Sequence, residues 1–400
     1  MSAQPGSFQN ASLSGTVLPF PSRPQPRLHL SPPLLAGSEI DGIRATLEGG
    51  WLAPAGPTPI AFEAALAETT GFGGVLATSS GTAALNLGYR VLGVEPGDEV
   101  WVPSMTFVAT VAPAVQMGAT PRFLDTTGPG WTIDPGQLAE ELSHAARRGR
   151  LPRVVVPVDL YGQCCDLPAI MAACDRWGVA VMSDSAAALG AGGRDARHAG
   201  RGARLAVFSF NGNKIVTTGG GGALAGDDPA LLAQARRLAG QAREPAAHYQ
   251  HETTGYAYGL SSLLAAVGLA QLPDLATRVA RKREIFAAYV DGLADLTGLS
   301  FIAEPHWGCA NRWLTVALFE PATFGADREA VRRALEAAGI ESRPAWKPLH
   351  LQPAFRNAPQ SGGAVAAGLF ERGLCLPSGC GMTAAEQARV IETVRGCARR

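Results

Sequence analysis

The clearest chemical resource in this sequence is a lysine set between an apolar strand pattern and a run of glycines. Lys214 ends the segment Ser209-Phe210-Asn211-Gly212-Asn213-Lys214, and Gly219 to Gly222 follow closely after it. Glycines let a backbone approach a ligand closely. Burial lowers the pKa of a lysine and frees a neutral amine for imine chemistry; left on an open loop, the same lysine would be merely solvated. Asp184 directly follows the apolar stretch Val179–Ser183. A carboxylate there can keep a heteroaromatic nitrogen protonated, and it also reads as a cap or turn residue. Thr78-Ser79-Ser80-Gly81-Thr82 sets hydroxyls and a glycine just before a helical pattern. Free N–H groups and the helix dipole at such a terminus attract phosphate, while Ser and Thr also serve as plain N-caps. Pro103-Ser104-Met105-Thr106-Phe107 adds a ring that can stack on a ligand or pack in the core.

These residues need a scaffold that brings them together. Val100–Val102, Pro121–Leu124, Val154–Val156 and Val179–Met182 read as short buried strands. The stretches 83–92, 108–117, 134–145 and 168–177 read as the helices between them. Strands alternating with helices of this length predict an α/β fold with a mainly parallel sheet covered on both faces. Ligands bind such sheets at the carboxyl ends of the strands, where the four segments fall. Ala206–Ser209 and Gly222–Ala225 read as further strands, with no long helix between them. A long helix is expected from Ser261 to Asp295, with Arg278, Arg281, Lys282 and Arg283 as a solvated basic face. Beyond Gly298 a new α+β pattern begins: strand 314–318, helix 328–338, a Pro-rich loop and a terminal helix from Ala384. The expected division is a flexible extension over 1–27, a large ligand-binding α/β domain over 28–250 and a smaller C-terminal domain over 251–400.

Composition narrows the function. The 400 residues carry 34 basic and 34 acidic side chains, so no global field favours nucleic acid or an anionic membrane. The seven cysteines form no CxxC pair or Cys/His cluster with zinc spacing, which predicts free thiols in a reducing cytoplasm and no metal site. No apolar run approaches a membrane span in length, and the N-terminal stretch lacks the basic start and apolar centre of a signal peptide.

The order of the segments is more specific than any one of them: phosphate cup, aromatic, carboxylate, then a serine five residues before a lysine. In this order the chain resembles the DegT/DnrJ/EryC1/StrS family of sugar aminotransferases, fold-type I enzymes that depend on pyridoxal 5′-phosphate. The resemblance runs from about Leu28 to the C-terminus, through HLSPP, WLAPAGP, SSGTAAL, PSMTFVAT, VDLYGQCCD, SFNGNKIVTTGGGG and RPAWKPLHLQPAF. It implies that Lys214 is the catalytic residue, holding the cofactor as a Schiff base and shuttling a proton. It implies that Asp184 pairs with the pyridine nitrogen, that Phe107 stacks on the ring, and that Gly81, Thr82 and Ser209 bind the phosphate. Arg312, Lys347 and His350 resemble positions near the nucleotide-sugar pocket. SFNGNK and RPAWKPLH resemble members that aminate C4 of UDP-linked 4-keto-6-deoxy sugars. The expected activity is therefore amination of a 4-keto-6-deoxy sugar nucleotide, a UDP-linked N-acetylhexosamine, with glutamate as donor, by a cytoplasmic homodimer. The alternative is a degenerate member that binds cofactor or sugar nucleotide without transaminating.

Three positions depart from the family pattern. Ala187 stands where Glu or Gln is usual. The segment that resembles the family's intersubunit loop reads Gly255-Tyr256-Ala257-Tyr258-Gly259-Leu260-Ser261-Ser262. It thus carries alanine and glycine where the family has asparagine and arginine.

Overall fold

In the computed structural model, which describes residues 27–126 and 128–399, the apolar runs form strands of one sheet. The expected N-terminal extension lies outside the described residues except for Arg27. The first eight strands are β1 (Gly74–Thr78), β2 (Glu99–Pro103), β3 (Thr120–Leu124), β4 (Val154–Val155), β5 (Ala180–Asp184), β6 (Gly192–Gly193), β7 (Leu205–Ser209) and β8 (Gly222–Gly226). The later six are β9 (Leu299–Phe301), β10 (Gly308–Cys309), β11 (Thr315–Phe319), β12 (Arg343–Pro344), β13 (Gln360–Ser361) and β14 (Gly373–Leu376). The large sheet runs β1-β8-β7-β5-β4-β2-β3-β13. All its pairings from β7 to β13 are parallel, whereas β8 is antiparallel to both neighbours. Val100, Trp101, Val102, Val154, Val155 and Val207 are buried. Such near-continuous apolar strands are what a sheet covered on both faces requires.

The helix Gly81–Val91 is buried over most of its length, so its sequence is apolar on nearly every side. Ser80 caps it, accepting a hydrogen bond from the Ala83 N–H at 3.0 Å. Prolines reshape two expected helices. The stretch expected over 108–117 is a 3-10 turn, Val108–Thr110, and a short helix, Ala112–Gln116, with Pro113 in its first turn. The long helix expected from Ser261 is two, Ser262–Gln271 and Leu275–Gly292, joined by the 3-10 turn Leu272–Asp274 that contains Pro273.

The basic run on the second of these helices is not one solvated face. Arg281 and Arg283 reach the surface, but Arg278 and Lys282 are buried. The Arg278 guanidinium donates to the carbonyls of Leu34 and Ile215, and Lys282 Nζ donates to the Trp313 carbonyl and the Ser31 hydroxyl. These acceptors, with Asp274 at 3.7 Å from Arg278, offset part of the cost of burying both cations. By length and composition the continuous stretch Ser262–Gly292 could cross a membrane, which the sequence had not suggested. In the fold it packs against the helices Ser38–Glu48 and Pro57–Thr70, neither of which was singled out from the sequence.

Beyond residue 295, β9, β11, β12 and β14 form a second, antiparallel sheet in the order β12-β14-β11-β9. The helices Arg328–Ala337 and Ala384–Arg395 pack on it, the latter opened by a Thr383/Glu386 capping box. The two halves exchange chain: β13 extends the large sheet, and Leu28 bridges to Ile340.

Candidate active site

The segments with chemical promise meet at the carboxyl ends of β1, β2, β5 and β7, on the wall of one cavity of about 840 Å³. Gly81, Thr82, Phe107, Asp184, Ser209 and Lys214 all line it.

At the β1 end the wall is built from backbone. Gly222 pairs with both Thr78 and Ser209, and the start of the helix Gly81–Val91 lies directly over it. A Cβ at Gly222 would fall 2.4 Å from the Gly81 nitrogen, closer than any real contact. A Cβ at Gly81 would press on Ser209 at 3.2 Å. The glycines therefore let a helix N-terminus, with its free N–H groups, face a cup rimmed by the Ser80, Thr82 and Ser209 hydroxyls.

Asp184 ends β5 on the cavity floor. Its carboxylate accepts from the Thr110 hydroxyl at 2.7 Å and from the Ala186 N–H at 3.1 Å, and Thr106 stands behind Thr110 at 2.8 Å. Burial pushes its pKa up, while Thr110, the Ala186 N–H and the Lys214 charge pull it down. Asp159 sits on the adjacent strand end, holding the Ser185 hydroxyl at 2.6 Å and the Cys165 N–H at 2.9 Å. Burial raises it to about 6. Lys214 is only partly covered, since its amine faces the cavity. Desolvation by the wall lowers its pKa to about 8, against the opposing pull of Asp184. The loop before it is clamped at the Asn213 carbonyl, which accepts from the Trp313 indole N–H at 2.7 Å and the Ser31 hydroxyl at 3.2 Å.

The residues expected near the nucleotide sugar do not reach this cavity. Arg312 has a left-handed backbone, φ 54°, and turns away from it. Its guanidinium pairs with Glu304 at 3.3 Å, donates to the Ile302 carbonyl and lies 3.7 Å over the Phe286 ring. Lys347 is exposed outside the cavity wall. His350 is hydrogen-bonded to Ser104 behind the wall, and burial holds its pKa below the usual histidine value. Arg312→Ala is expected to lower stability by about 2 kcal/mol through lost packing and hydrogen bonds, since Glu304 keeps its pairing with Arg283. Activity per folded molecule should stay near that of the parent. Denaturant midpoints and kcat/KM, measured on the same preparation, check both halves.

The sequence passed over the neighbours of Arg312: Trp313 lines the cavity, and Asn311 braces the segment behind it. The Asn311 amide donates to the Ala187 and Leu189 carbonyls, both at 2.9 Å, and its oxygen accepts from the Trp313 N–H. Trp313 lines the cavity beside Trp346, with Tyr161 packed against both rings. Phe107 joins this aromatic wall 5.8 Å from Trp346. Arg343, at the cavity mouth, is held by Glu341, which also engages His29 at 3.3 Å. The motifs HLSPP and RPAWKPLH and the position of Arg312, in the segment NRWLT, signalled these segments, but not which of their side chains faces inward.

The three departures have distinct settings. Ala187 lines the cavity and adds no polar group to it. Ala257 is exposed beside Tyr256 and Tyr258, whose rings stack 4.6 Å apart. Gly259 bridges to Thr78, and a Cβ there would lie 2.6 Å from the Pro54 side chain, so Pro54 occupies the space an arginine would enter through.

The chemistry of this wall fits pyridoxal phosphate. The glycine cradle admits a phosphate, the buried carboxylate of Asp184 faces the cavity where it could pair with a pyridinium N–H, and the Lys214 amine opens on the same space.

Comparison with known proteins agrees. The sequence model of the DegT/DnrJ/EryC1/StrS aminotransferase family matches residues 33–395. EpsN of Bacillus subtilis (strain 168), named as a pyridoxal phosphate-dependent aminotransferase, is 44% identical over 372 residues, 92% of this chain and 95% of EpsN. A GDP-perosamine synthase of Caulobacter vibrioides is 34% identical over 370 residues, 92% of this chain and 97% of its own. The solved structure of the aminotransferase TlmJ from Streptoalloteichus hindustanus superposes with a TM-score of 0.86 at 30% identity, covering 93% of this chain and 99% of TlmJ.

Proposed function

Because the chain belongs to the DegT/DnrJ/EryC1/StrS aminotransferase family, we propose that it transfers the amino group of glutamate to C4 of a nucleotide-linked 4-keto-6-deoxy sugar. The observation that carries this reading is a single cavity presenting a lysine amine, a buried carboxylate and a backbone phosphate cup together.

Pyridoxal phosphate supplies an electron sink that stabilises negative charge on the carbon next to the reacting nitrogen. The chain's own residues do the rest. The helix N-terminus at Gly81, with Thr82 and Ser209, anchors the phosphate. Asp184 holds a proton on the ring nitrogen, and Thr110 and the Ala186 N–H keep its carboxylate aimed. Phe107 supplies a stacking face. Lys214 would hold the cofactor, and its Nζ would carry the proton that leaves the donor's α-carbon and the one that arrives at C4 of the sugar. Its pKa of about 8 leaves both protonation states within reach near neutral pH. Trp313, Trp346 and Tyr161 keep bulk water from that side of the cavity.

We also propose a homodimer. Leu35, Ile40, Leu47, Trp51 and Leu52 are exposed along one N-terminal stretch, an apolar surface suited to a second copy. Ala257 is exposed in the segment that resembles the family's intersubunit loop, whose usual asparagine would serve a neighbouring subunit's cofactor phosphate. Ala257→Asn is expected to slow cofactor loss on dialysis by roughly tenfold, the scale of a hydrogen bond to a charged group. Absorbance of the retained cofactor measures it.

For the nucleotide, the SFNGNK and RPAWKPLH segments favour UDP and an N-acetylhexosamine. The likeness to a GDP-perosamine synthase favours GDP as a second reading. Specificity constants for UDP-, GDP- and dTDP-linked 4-keto-6-deoxy sugars with glutamate, with products identified by mass spectrometry, separate the two. The UDP sugar is expected to lead by tenfold or more, about 1.4 kcal/mol. A tenfold lead for GDP reverses the assignment, and no amination of any of them sinks the proposed activity.

A further inference from the structure

The Lys214 amine has one partner that a cofactor lysine does not need while it is bonded to its cofactor. Its Nζ lies 3.7 Å from the centroid of the Trp313 ring, over the ring face. We propose that the face of Trp313 is the seat of the Lys214 ammonium whenever that amine is free, and that Trp313 thereby positions the proton that Lys214 delivers. This rests on the proposed role of Lys214 but not on the identity of the sugar.

The ring is held as such a seat requires. Its N–H donates to the Asn213 carbonyl at 2.7 Å, one residue before the lysine. Its backbone N–H is fixed by Asn311 at 2.9 Å, and its carbonyl accepts from Lys282 Nζ at 3.0 Å. Tyr161 and Trp346 pack against the ring. With these anchors the indole cannot swing aside without breaking the clamp on the lysine loop. An aromatic face attracts a cation electrostatically, and more strongly where water is displaced. Trp313 is 2% exposed.

The other groups bearing on this amine are few. Asp184 on the floor favours the ammonium, and Asp159 stands beside it at the next strand end. Glu341, Arg343 and His29 lie at the mouth, where the first two pair with each other. Lys282 sits behind the indole, its Nζ spent on the Trp313 carbonyl and the Ser31 hydroxyl. Burial alone disfavours the charge. Trp313 and Asp184 are thus the two groups that hold a proton on Lys214, and they approach it from different halves of the chain.

The test reads the proton directly. Full-length protein with 13C-labelled lysine is titrated by NMR, first stripped of cofactor and then reloaded with pyridoxamine phosphate. The Lys214 resonance is assigned by its absence in Lys214→Arg. Trp313→Leu is expected to lower the Lys214 pKa by about one unit, and Trp313→Phe by less. Because Trp313→Leu removes a buried ring and could prevent folding, a second series keeps the shape. Fluorinated tryptophans placed at position 313 weaken the face charge stepwise, and the Lys214 pKa should fall with each added fluorine. A pKa that stays constant along that series overturns the proposal and leaves Trp313 as packing. Neither outcome depends on which sugar, if any, is aminated.

Discussion

Lys214→Ala is expected to reduce transamination by about 10⁴-fold or more, since it removes both the covalent tether and the proton carrier. Borohydride reduction should fix cofactor to Lys214 in the parent protein, and peptide mapping of the alanine variant should find no labelled lysine. Cofactor should still bind the variant, because the cup at Gly81, Ser209 and Gly222 does not use the lysine. Label on another lysine in the parent, or residual turnover within tenfold of it, would displace Lys214 from the centre of the chemistry. Lys214→Arg separates charge from nucleophilicity: it keeps a cation near Asp184 but supplies no amine that can condense.

Asp184→Asn should cost on the order of 10²–10³-fold in rate, the range seen when one preorganised electrostatic partner is lost. The substitution is nearly isosteric, but its hydrogen bonds are not equivalent. The carboxylate accepts on one oxygen from Thr110 and on the other from the Ala186 N–H. An amide must turn its NH₂ toward one of these donors. Facing the Ala186 N–H it meets a fixed donor; facing Thr110 it disturbs the hydroxyl chain to Thr106. In either orientation it carries no charge to keep a ring nitrogen protonated. The visible spectrum of bound cofactor should change together with the single-turnover rate. A variant with full rate and an unchanged spectrum would assign Asp184 to structure alone.

The cofactor end of the site was legible in the sequence for a physical reason. Lysine, aspartate and Ser/Gly clusters are ordinary turn residues one at a time, but here they follow in order at successive strand ends, where an open α/β sheet binds ligands. Lys214, Asp184 and Gly81 therefore stood out without any structure. The facing wall was not legible. Trp313, Trp346 and Tyr161 carry the same residue types as core, and they come from three distant segments that only the fold brings together. In NRWLT the charged residue drew attention, but the positive φ at Arg312 sends that side chain outward and leaves Asn311 and Trp313 inside. Nothing in residue type reveals such a local reversal. Arg278 and Lys282 misled in the same way, because their partners are carbonyls of Leu34, Ile215 and Trp313, far off in sequence. Pro273 was a visible helix break that the long apolar pattern on either side obscured.

The contact at Gly222 gives the two ends of the cofactor site different sensitivities. Peptide N–H groups do not titrate, and their dipoles persist at any pH at which the protein is folded. The donors of the cup at Gly81 and Gly222 are therefore the same whatever the pH and the state of the lysine. The opposite end of the cavity, where Asp184, Asp159 and Lys214 stand, carries groups whose charge depends on pH. It also follows that sequence drift can retune the chemistry of the ring through many side chains. The phosphate anchor offers almost no such freedom, because a single methyl group at Gly222 would collide with the backbone that forms it.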